Sequence, residues 1–168
     1  VLPAGESGEI CSRGRISMPG YWRREQASRE AEFVDADGVQ WLRSGDIGYV
    51  DGEGFLYIVD RKKDMILSGG QNIYPQDIEA VLVDHGAVDD VAVIGLPSSR
   101  WGETPVALVV PVANNSADVR EILEWANARL GKQQRLAEVI AVEDLPRNPN
   151  GKILKRELRE IYRDREYA

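Results

Sequence analysis

The spacing of apolar residues changes at about residue 60, and this change constrains the fold more than any other feature of the chain. Before it, short apolar alternations are separated by turns rich in Asp and Gly, at residues 35–38 and 51–54. This pattern is typical of β-strands joined by tight turns. After Pro75, strand-like runs alternate with segments whose apolar residues recur at helical spacing. The sequence therefore predicts an α+β fold, in which a β-rich N-terminal segment precedes a small α/β sandwich.

Individual elements follow from the same pattern. Strands are expected at residues 8–14, 40–43, 54–59, 88–96, 105–112 and 137–142. Helices are expected at residues 23–33, 75–84, 116–130 and 153–162, with Pro75 in the first turn of the second and Ser116 capping the third. The domain boundary is expected in the cationic run that follows Asp60, which divides the chain into residues 1–61 and 62–168.

Charge and composition exclude several classes of function. The formal net charge of −7 argues against general nucleic-acid binding, which needs a basic surface. No apolar run is long enough to span a membrane. The single cysteine, Cys11, has no partner for an internal disulfide, and with the single histidine, His85, it cannot build a zinc site. These features favour a reducing, cytoplasmic setting.

Residues 60–75 carry the most informative motif, Asp-Arg-Lys-Lys-Asp-Met-Ile-Leu-Ser-Gly-Gly-Gln-Asn-Ile-Tyr-Pro. Its cationic run follows an apolar strand, and its Gly-Gly pair allows the backbone to approach a ligand closely. Two further motifs are Ser-Gly-Asp at residues 44–46 and Pro-Asn-Gly-Lys at residues 149–152. In this order and spacing, the three motifs resemble those of the adenylate-forming enzymes, specifically the acyl- and aryl-CoA synthetases.

The resemblance implies an ATP-dependent carboxylic acid–CoA ligase, with a leaning towards fatty-acid metabolism. Such an enzyme forms an acyl-adenylate and pyrophosphate, and the CoA thiol then displaces AMP. The family's phosphate-binding loop and acid pocket have no counterpart in these 168 residues. We therefore expect the chain to be the C-terminal piece of a longer enzyme, inactive without the N-terminal adenylating domain of the same polypeptide. ATP also implies Mg²⁺, whose ligands are expected outside this piece.

The resemblance assigns roles in the first half-reaction to four residues. The resemblance implies that Lys152 is the catalytic cation. A unit charge at about 4 Å contributes roughly 4 kcal/mol at an effective dielectric constant near 20, before the cost of desolvation. Asp46 is expected to accept hydrogen bonds from the ribose hydroxyls of the nucleotide. Arg61 is expected to contact the ribose and phosphate through its planar fork. Lys63 lies at the position of the family's hinge, where the backbone absorbs a domain rotation.

The second half-reaction needs a CoA site, and five residues are implied in it. Gly69 and Gly70 are expected to line the tunnel for the pantetheine arm. Trp101 is expected to stack against the CoA adenine, an interaction that contributes roughly 1–3 kcal/mol. Arg100 and Arg135 are expected to meet CoA phosphates.

Each assignment has a structural alternative that the residues alone leave open. Lys152 can be a surface lysine after a turn, and Trp101 can be a packing residue. Arg61 can form an ion pair with Asp60 or Asp64. Two other functions also remain open for the whole chain: an adenylation module that loads a carrier protein's phosphopantetheine, and a non-catalytic regulatory or interaction domain.

Overall fold

The computed structural model describes residues 1–15, 17–113 and 118–168. The chain divides into two compact units, Val1–Lys63 (unit 1) and Asp64–Ala168 (unit 2). Unit 1 is rich in strands, and unit 2 combines a sheet with helices, so the predicted α+β class is confirmed. The domain boundary predicted after residue 61 stays a prediction.

Unit 1 is an antiparallel sheet with one short helix. Its elements are β1 (Gly8–Ser12), α1 (Glu25–Glu30), β2 (Glu32–Val34), β3 (Gln40–Val50) and β4 (Leu56–Arg61). The long strand β3 pairs with each of the other three. The helix predicted to reach residue 33 ends earlier, because residues 32–34 pair with residues 40–42 of β3. Sheet pairing thus overrides the local helical preference of this segment.

The two Asp-Gly turns of unit 1 are present as predicted. The Asp35 carboxylate accepts hydrogen bonds from the amides two and four residues further on. Asp51 accepts the same pair of bonds in the turn between β3 and β4. A short acceptor side chain that folds back on its own backbone fixes both reversals locally.

Unit 2 is a five-stranded sheet with helices on both faces. Its elements are β5 (Ile66–Ser68), β6 (Gln71–Ile73), α2 (Pro75–Val83), β7 (Val88–Ser98), β8 (Gly102–Pro111), α3 (Val119–Asn127), β9 (Glu138–Ala141) and α4 (Lys155–Tyr162). The strand order is β6-β5-β8-β7, and β9 runs parallel to β8. None of the helices in the described residues is long and apolar enough to cross a membrane.

The predicted helices of unit 2 are confirmed with shifted ends. The predicted cap Ser116 lies outside the described residues, and Asp118 caps α3 by accepting a hydrogen bond from the Arg120 amide at 2.8 Å. Helix α4 begins at Lys155, two residues later than predicted, because Ile153 forms a β-bridge with Arg147.

The core of unit 2 fills both sides of the sheet. Because side chains alternate along β7 and β8, Val93 and Val109 face α2 and α3, whereas Ile94 and Leu108 face α4. Each apolar side chain of this size contributes about 1.5–3 kcal/mol when it is fully buried. The sandwich therefore has two continuous apolar layers, which hold its connecting turns in place.

The outer edge of β7 is covered by polar contacts. In the described residues, β7 pairs with β8 on one side only. On its other side, the Val93 amide donates a hydrogen bond to the Glu79 carboxylate at 2.7 Å, and Lys155 lies 2.7 Å from the same oxygen. Further along, the backbone of Tyr167 exchanges hydrogen bonds with Pro97 and Ser99. Helices α2 and α4 and the C-terminal residues thus occupy groups that an edge strand leaves open.

Candidate functional site

Asp46 and Arg61 are brought together by strand pairing. They are direct partners in the β3–β4 register, and Arg61 Nε lies 3.6 Å from Asp46 Oδ1. That separation is an ion pair and is too long for a hydrogen bond. Of the alternative partners from the sequence, Asp64 binds Arg159, and the Asp60 carboxylate accepts a hydrogen bond from the Arg61 backbone amide. The predicted nucleotide-binding pair therefore stands together in unit 1.

The surroundings of Asp46 are built from the Ser-Gly-Asp motif itself. The Ser44 hydroxyl accepts a hydrogen bond from the Asp46 amide at 3.0 Å, and Gly45 has a φ of 77°, which favours glycine. Strand β3 continues through the motif to Val50. A cavity of about 390 Å³ opens beside it, lined by residues 44–46 and 61–63. An acceptor and three cations share this cavity.

Lys62 and Lys63 have different environments. Lys62 Nζ lies 2.8 Å from Glu9, which also pairs with Arg43 at 2.9 Å. Lys63 is exposed and is the last residue of unit 1. A larger cavity of about 560 Å³ is lined by residues 19–25 and 28–29, none of which is a predicted site residue. Cavity size alone therefore does not locate the site.

Gly69 and Gly70 form the two-residue turn between β5 and β6. Their φ values are 55° and 79°, so both adopt the left-handed conformation of a type I′ hairpin turn. The two glycines differ in their surroundings. A β-carbon on Gly69 would lie 3.0 Å from the Trp101 ring, whereas one on Gly70 would have no neighbour within 4 Å. The backbone conformation favours glycine at both positions, and at Gly69 the close approach of the Trp101 ring favours it as well.

Trp101 is held by its backbone and leaves nearly half of its surface exposed. Its amide donates to the Ser98 hydroxyl at 3.2 Å, and its carbonyl accepts the Gly69 amide at 2.8 Å. The Arg100 guanidinium lies 4.6 Å from the centre of its ring. Packing against the protein therefore explains only the buried half of the Trp101 side chain. The exposed part of the indole, which Arg100 contacts, can stack on a further planar group.

Arg135 is the remaining residue that is expected to meet a CoA phosphate. It is exposed in the segment between α3 and β9. Because β9 runs parallel to β8 and the Ala137 amide binds the Pro105 carbonyl, Arg135 lies towards the end of β8 that follows Trp101. The topology therefore places it at the same end of the sheet.

Lys152 is exposed on a turn whose backbone is extensively hydrogen-bonded. The Asn148 side chain accepts hydrogen bonds from the amides of Asn150 and Lys152, at 3.0 and 2.9 Å. The Asn148 backbone amide donates to the Lys152 carbonyl at 2.9 Å, and Gly151 has a φ of 79°. The exposed Lys152 side chain thus extends from a turn whose backbone is fixed by hydrogen bonds.

The side-chain contacts that stabilise these turns were not predicted from the sequence. Arg147 donates a hydrogen bond to the Gly151 carbonyl at 2.6 Å and pairs with Asp90 in β7. Glu103 accepts the Leu67 amide at 2.9 Å beside the Gly-Gly turn. Asn148 is the exception that local pattern could have found, since Asn often binds the backbone two residues on. The others depend on strand register.

Among the described residues, no group of three or more His, Cys, Asp or Glu side chains could hold a metal ion.

Comparison with protein families gives one match. Residues 77–152 match the model of the AMP-binding enzyme C-terminal domain. The matched segment begins in α2 and ends at Lys152.

Individual relatives match over nearly the whole chain. The chain is 46% identical to a long-chain-fatty-acid–CoA ligase of Mycobacterium tuberculosis, over 96% of this chain and 31% of the relative. It is 44% identical to a 2-succinylbenzoate–CoA ligase of Bacillus cereus, over 96% and 32%. The crystal structure of ATP-bound MatB from Rhodopseudomonas palustris matches with a TM-score of 0.87 and 36% identity, over 97% and 32%. The chain thus spans about a third of the length of these relatives.

Proposed function

The chain belongs to the adenylate-forming AMP-binding enzymes, as their C-terminal part, and on this premise we propose that it is the C-terminal portion of an ATP-dependent carboxylic acid–CoA ligase. In this proposal the complete polypeptide activates a carboxylic acid as an acyl-adenylate and transfers it to CoA. The names of the relatives, CoA ligases for a fatty acid and for an aryl acid, support the reaction class.

The observation that carries the proposal is the pairing of Asp46 with Arg61 beside a cationic cavity. The Asp46 carboxylate has only acceptor atoms, which suits the two hydroxyls of a ribose. Arg61 supplies donors in a fixed plane, which suits the ribose and phosphate oxygens. We propose that this pair binds the nucleotide of ATP and of the acyl-adenylate.

The exposure of Lys152 supports a role as an electrostatic catalyst. Adenylation brings a carboxylate to a phosphate, so a cation aimed at the reacting oxygens lowers the barrier. The amine is exposed, and the turn beneath it is braced. We propose that Lys152 serves adenylation and that rotation about Lys63 turns unit 2 for the thioester step.

The second half-reaction is assigned to the other group of residues. The exposed indole of Trp101 is proposed to receive the CoA adenine, with Arg100 leaving the ring to meet a phosphate. Gly69, Gly70 and Arg135 are proposed to border the path of CoA.

The test uses the full-length polypeptide, with the chain of residues 1–168 as its counterpart. We expect AMP release from acid, ATP and CoA with the full-length protein, and none above background with the chain alone. The Arg61→Lys variant keeps the charge but loses the fork, so the KM for ATP should rise by about tenfold. An unchanged KM would remove Arg61 from the nucleotide site.

Replacing free CoA with a carrier protein that bears phosphopantetheine separates the two enzymatic alternatives. Faster transfer to the carrier protein than to CoA would replace the proposal with a carrier-loading module. No AMP formation by the full-length protein under any of these conditions would favour a regulatory or interaction role.

A further inference from the structure

We propose that Arg147 is the positioning residue for Lys152. Its side chain connects strand β7 with the turn on which Lys152 lies. This inference rests on the catalytic role proposed for Lys152. It concerns how the amine is aimed, whereas that role concerns what the amine does.

The contacts of Arg147 reach both sides of this connection. One guanidinium nitrogen, Nη1, donates a hydrogen bond to the Gly151 carbonyl at 2.6 Å. The other, Nη2, pairs with the carboxylate of Asp90. The Gly151 carbonyl belongs to the peptide group that joins Gly151 to Lys152. Arg147 therefore fixes the plane of the peptide from which the lysine side chain departs.

The Asp90 end of the connection is itself fixed. Its Oδ1 atom accepts a hydrogen bond from the Val91 amide at 2.9 Å, while Oδ2 pairs with Arg147. The buried residues of β7 on both sides of the sheet hold this strand in the core. The chain of contacts thus runs from a rigid strand, through a carboxylate and a guanidinium, to the base of Lys152.

Exposure separates this arrangement from a simple stabilising ion pair. The side chains of Arg147 and Asp90 are 41% and 31% exposed. Ion pairs exposed to this degree contribute little to global stability. A bidentate guanidinium between a strand and a turn instead restricts geometry, which lysine cannot reproduce because it lacks the planar fork.

The first test is proteolysis of the chain itself by a protease specific for lysine. We compare cleavage after Lys152 with cleavage after Lys132, an exposed lysine in the segment before β9. In the Arg147→Met variant, cleavage after Lys152 should accelerate on the order of tenfold relative to cleavage after Lys132, because opening of the turn no longer breaks two charged contacts. In the Arg147→Lys variant, the rate of cleavage after Lys152 should lie between the rates of the Arg147→Met variant and the wild type.

The matched control is Arg163→Met. Arg163 also forms ion pairs in unit 2, with Glu160 and Asp164, but it has no contact with the Lys152 turn in the described residues. This variant should leave both cleavage rates unchanged. Equal cleavage in Arg147→Met and wild type would overturn the proposal. The proposal would also be overturned if the denaturation midpoint of Arg147→Met lay so far below that of Arg163→Met that global unfolding explained the faster cleavage.

The second test measures adenylation by the full-length polypeptide. Arg147→Met should lower kcat for adenylation by about tenfold with little change in the KM for ATP, because misplacing a catalytic group costs rate. Thioester formation from supplied acyl-adenylate should be unchanged. Combining it with Lys152→Ala should add no further loss, since Arg147 acts through Lys152.

The two hypotheses fail in different ways. If Arg147→Met accelerates cleavage but leaves adenylation unchanged, the positioning role is overturned while Lys152 keeps its own. If Lys152→Ala leaves adenylation unchanged, the catalytic role of Lys152 fails, and with it the role of Arg147 in catalysis. The cleavage result would then report only how the turn is held.

Discussion

Unit 1 and unit 2 hold their candidate residues in opposite ways. Among the described residues, Ile47 is the one buried apolar side chain of unit 1, whereas unit 2 has an apolar layer on each face of its sheet. Asp46 and Arg61 lie in the paired strands of unit 1. Lys152 and Trp101 lie on turns outside the core of unit 2. In unit 2 the candidate residues are therefore separate from the side chains that stabilise the fold. In unit 1 the candidate residues belong to the paired strands that form the fold.

The largest expected effect tests that separation at Lys152. We expect Lys152→Ala to slow adenylation by the full-length polypeptide about a thousandfold, since roughly 4 kcal/mol of charge stabilisation is lost. The denaturation midpoint of the chain should not change, because the side chain is exposed. Release of pyrophosphate measures the first quantity, and fluorescence in urea measures the second.

The control for this prediction is Lys132→Ala, which removes a different exposed lysine of unit 2. It should leave both measurements unchanged. Equal losses of adenylation and of thioester formation in Lys152→Ala would contradict the assignment of Lys152 to one half-reaction.

The next effect is on stability and compares a core leucine with an exposed one. Leu108 is completely buried in unit 2, whereas Leu56 of unit 1 is 52% exposed. We expect Leu108→Ala to lower the free energy of unfolding by about 2–5 kcal/mol, because it leaves a cavity between sheet and helix. Leu56→Ala should change it by less than about 0.5 kcal/mol. Equal effects in chemical denaturation would break the contrast between the units.

A smaller effect distinguishes the two glycines of the β5–β6 turn. Alanine at either position pays the cost of a left-handed backbone, roughly 1–2 kcal/mol. Gly69→Ala should cost more than Gly70→Ala, because only at position 69 does the new β-carbon meet Trp101. The difference in unfolding free energy between these two variants measures that contact, and equal values would argue against it.

The smallest effect is a pH dependence at the C-terminus. Partial burial raises the pKa of Glu138, but hydrogen bonds from Tyr167 and Arg165 outweigh it and hold this pKa below its ordinary value of 4.5. The stabilisation is therefore present above pH 4.5 and is lost as pH falls. Burial and the neighbouring Glu138 raise the pKa of Tyr167 above 10.0, so its contribution is lost as pH rises beyond that value.

The variant that measures this dependence is Tyr167→Phe. At neutral pH it should be less stable than the wild type by less than about 1 kcal/mol, since the contacts are partly exposed. The difference should shrink below pH 4.5 and above pH 10. A difference that stays constant across these ranges would show that Tyr167 contributes by packing alone.

Local sequence patterns predicted the turns and helices, which depend on residues that are neighbours in the sequence. The Asp-Gly turns and the amphipathic helices were found because each is specified by a few adjacent residues. Strand β2 was missed because its residues are helical by preference and extended by pairing. The fold class could be predicted, since it depends on the periods of whole segments and not on any single boundary.

Contacts between distant residues could not be predicted in the same way. The pairing of Arg61 with Asp46 depends on the register of β3 and β4, whereas the ion-pair alternatives considered from the sequence were Asp60 and Asp64. The link between Arg147 and Asp90 joins residues 57 positions apart. Charge alone offers many partners to each arginine, and only the three-dimensional register selects one of them.

The covered edge of β7 has a consequence for how the protein behaves at high concentration. An open edge strand can recruit a second molecule and begin a fibril, because its amides and carbonyls are ready to pair. Here the Val93 amide is already bound to Glu79, and Glu79 pairs with Lys155. Pairing of a second strand at Val93 must first break these contacts, so the residues that cover this edge oppose such pairing.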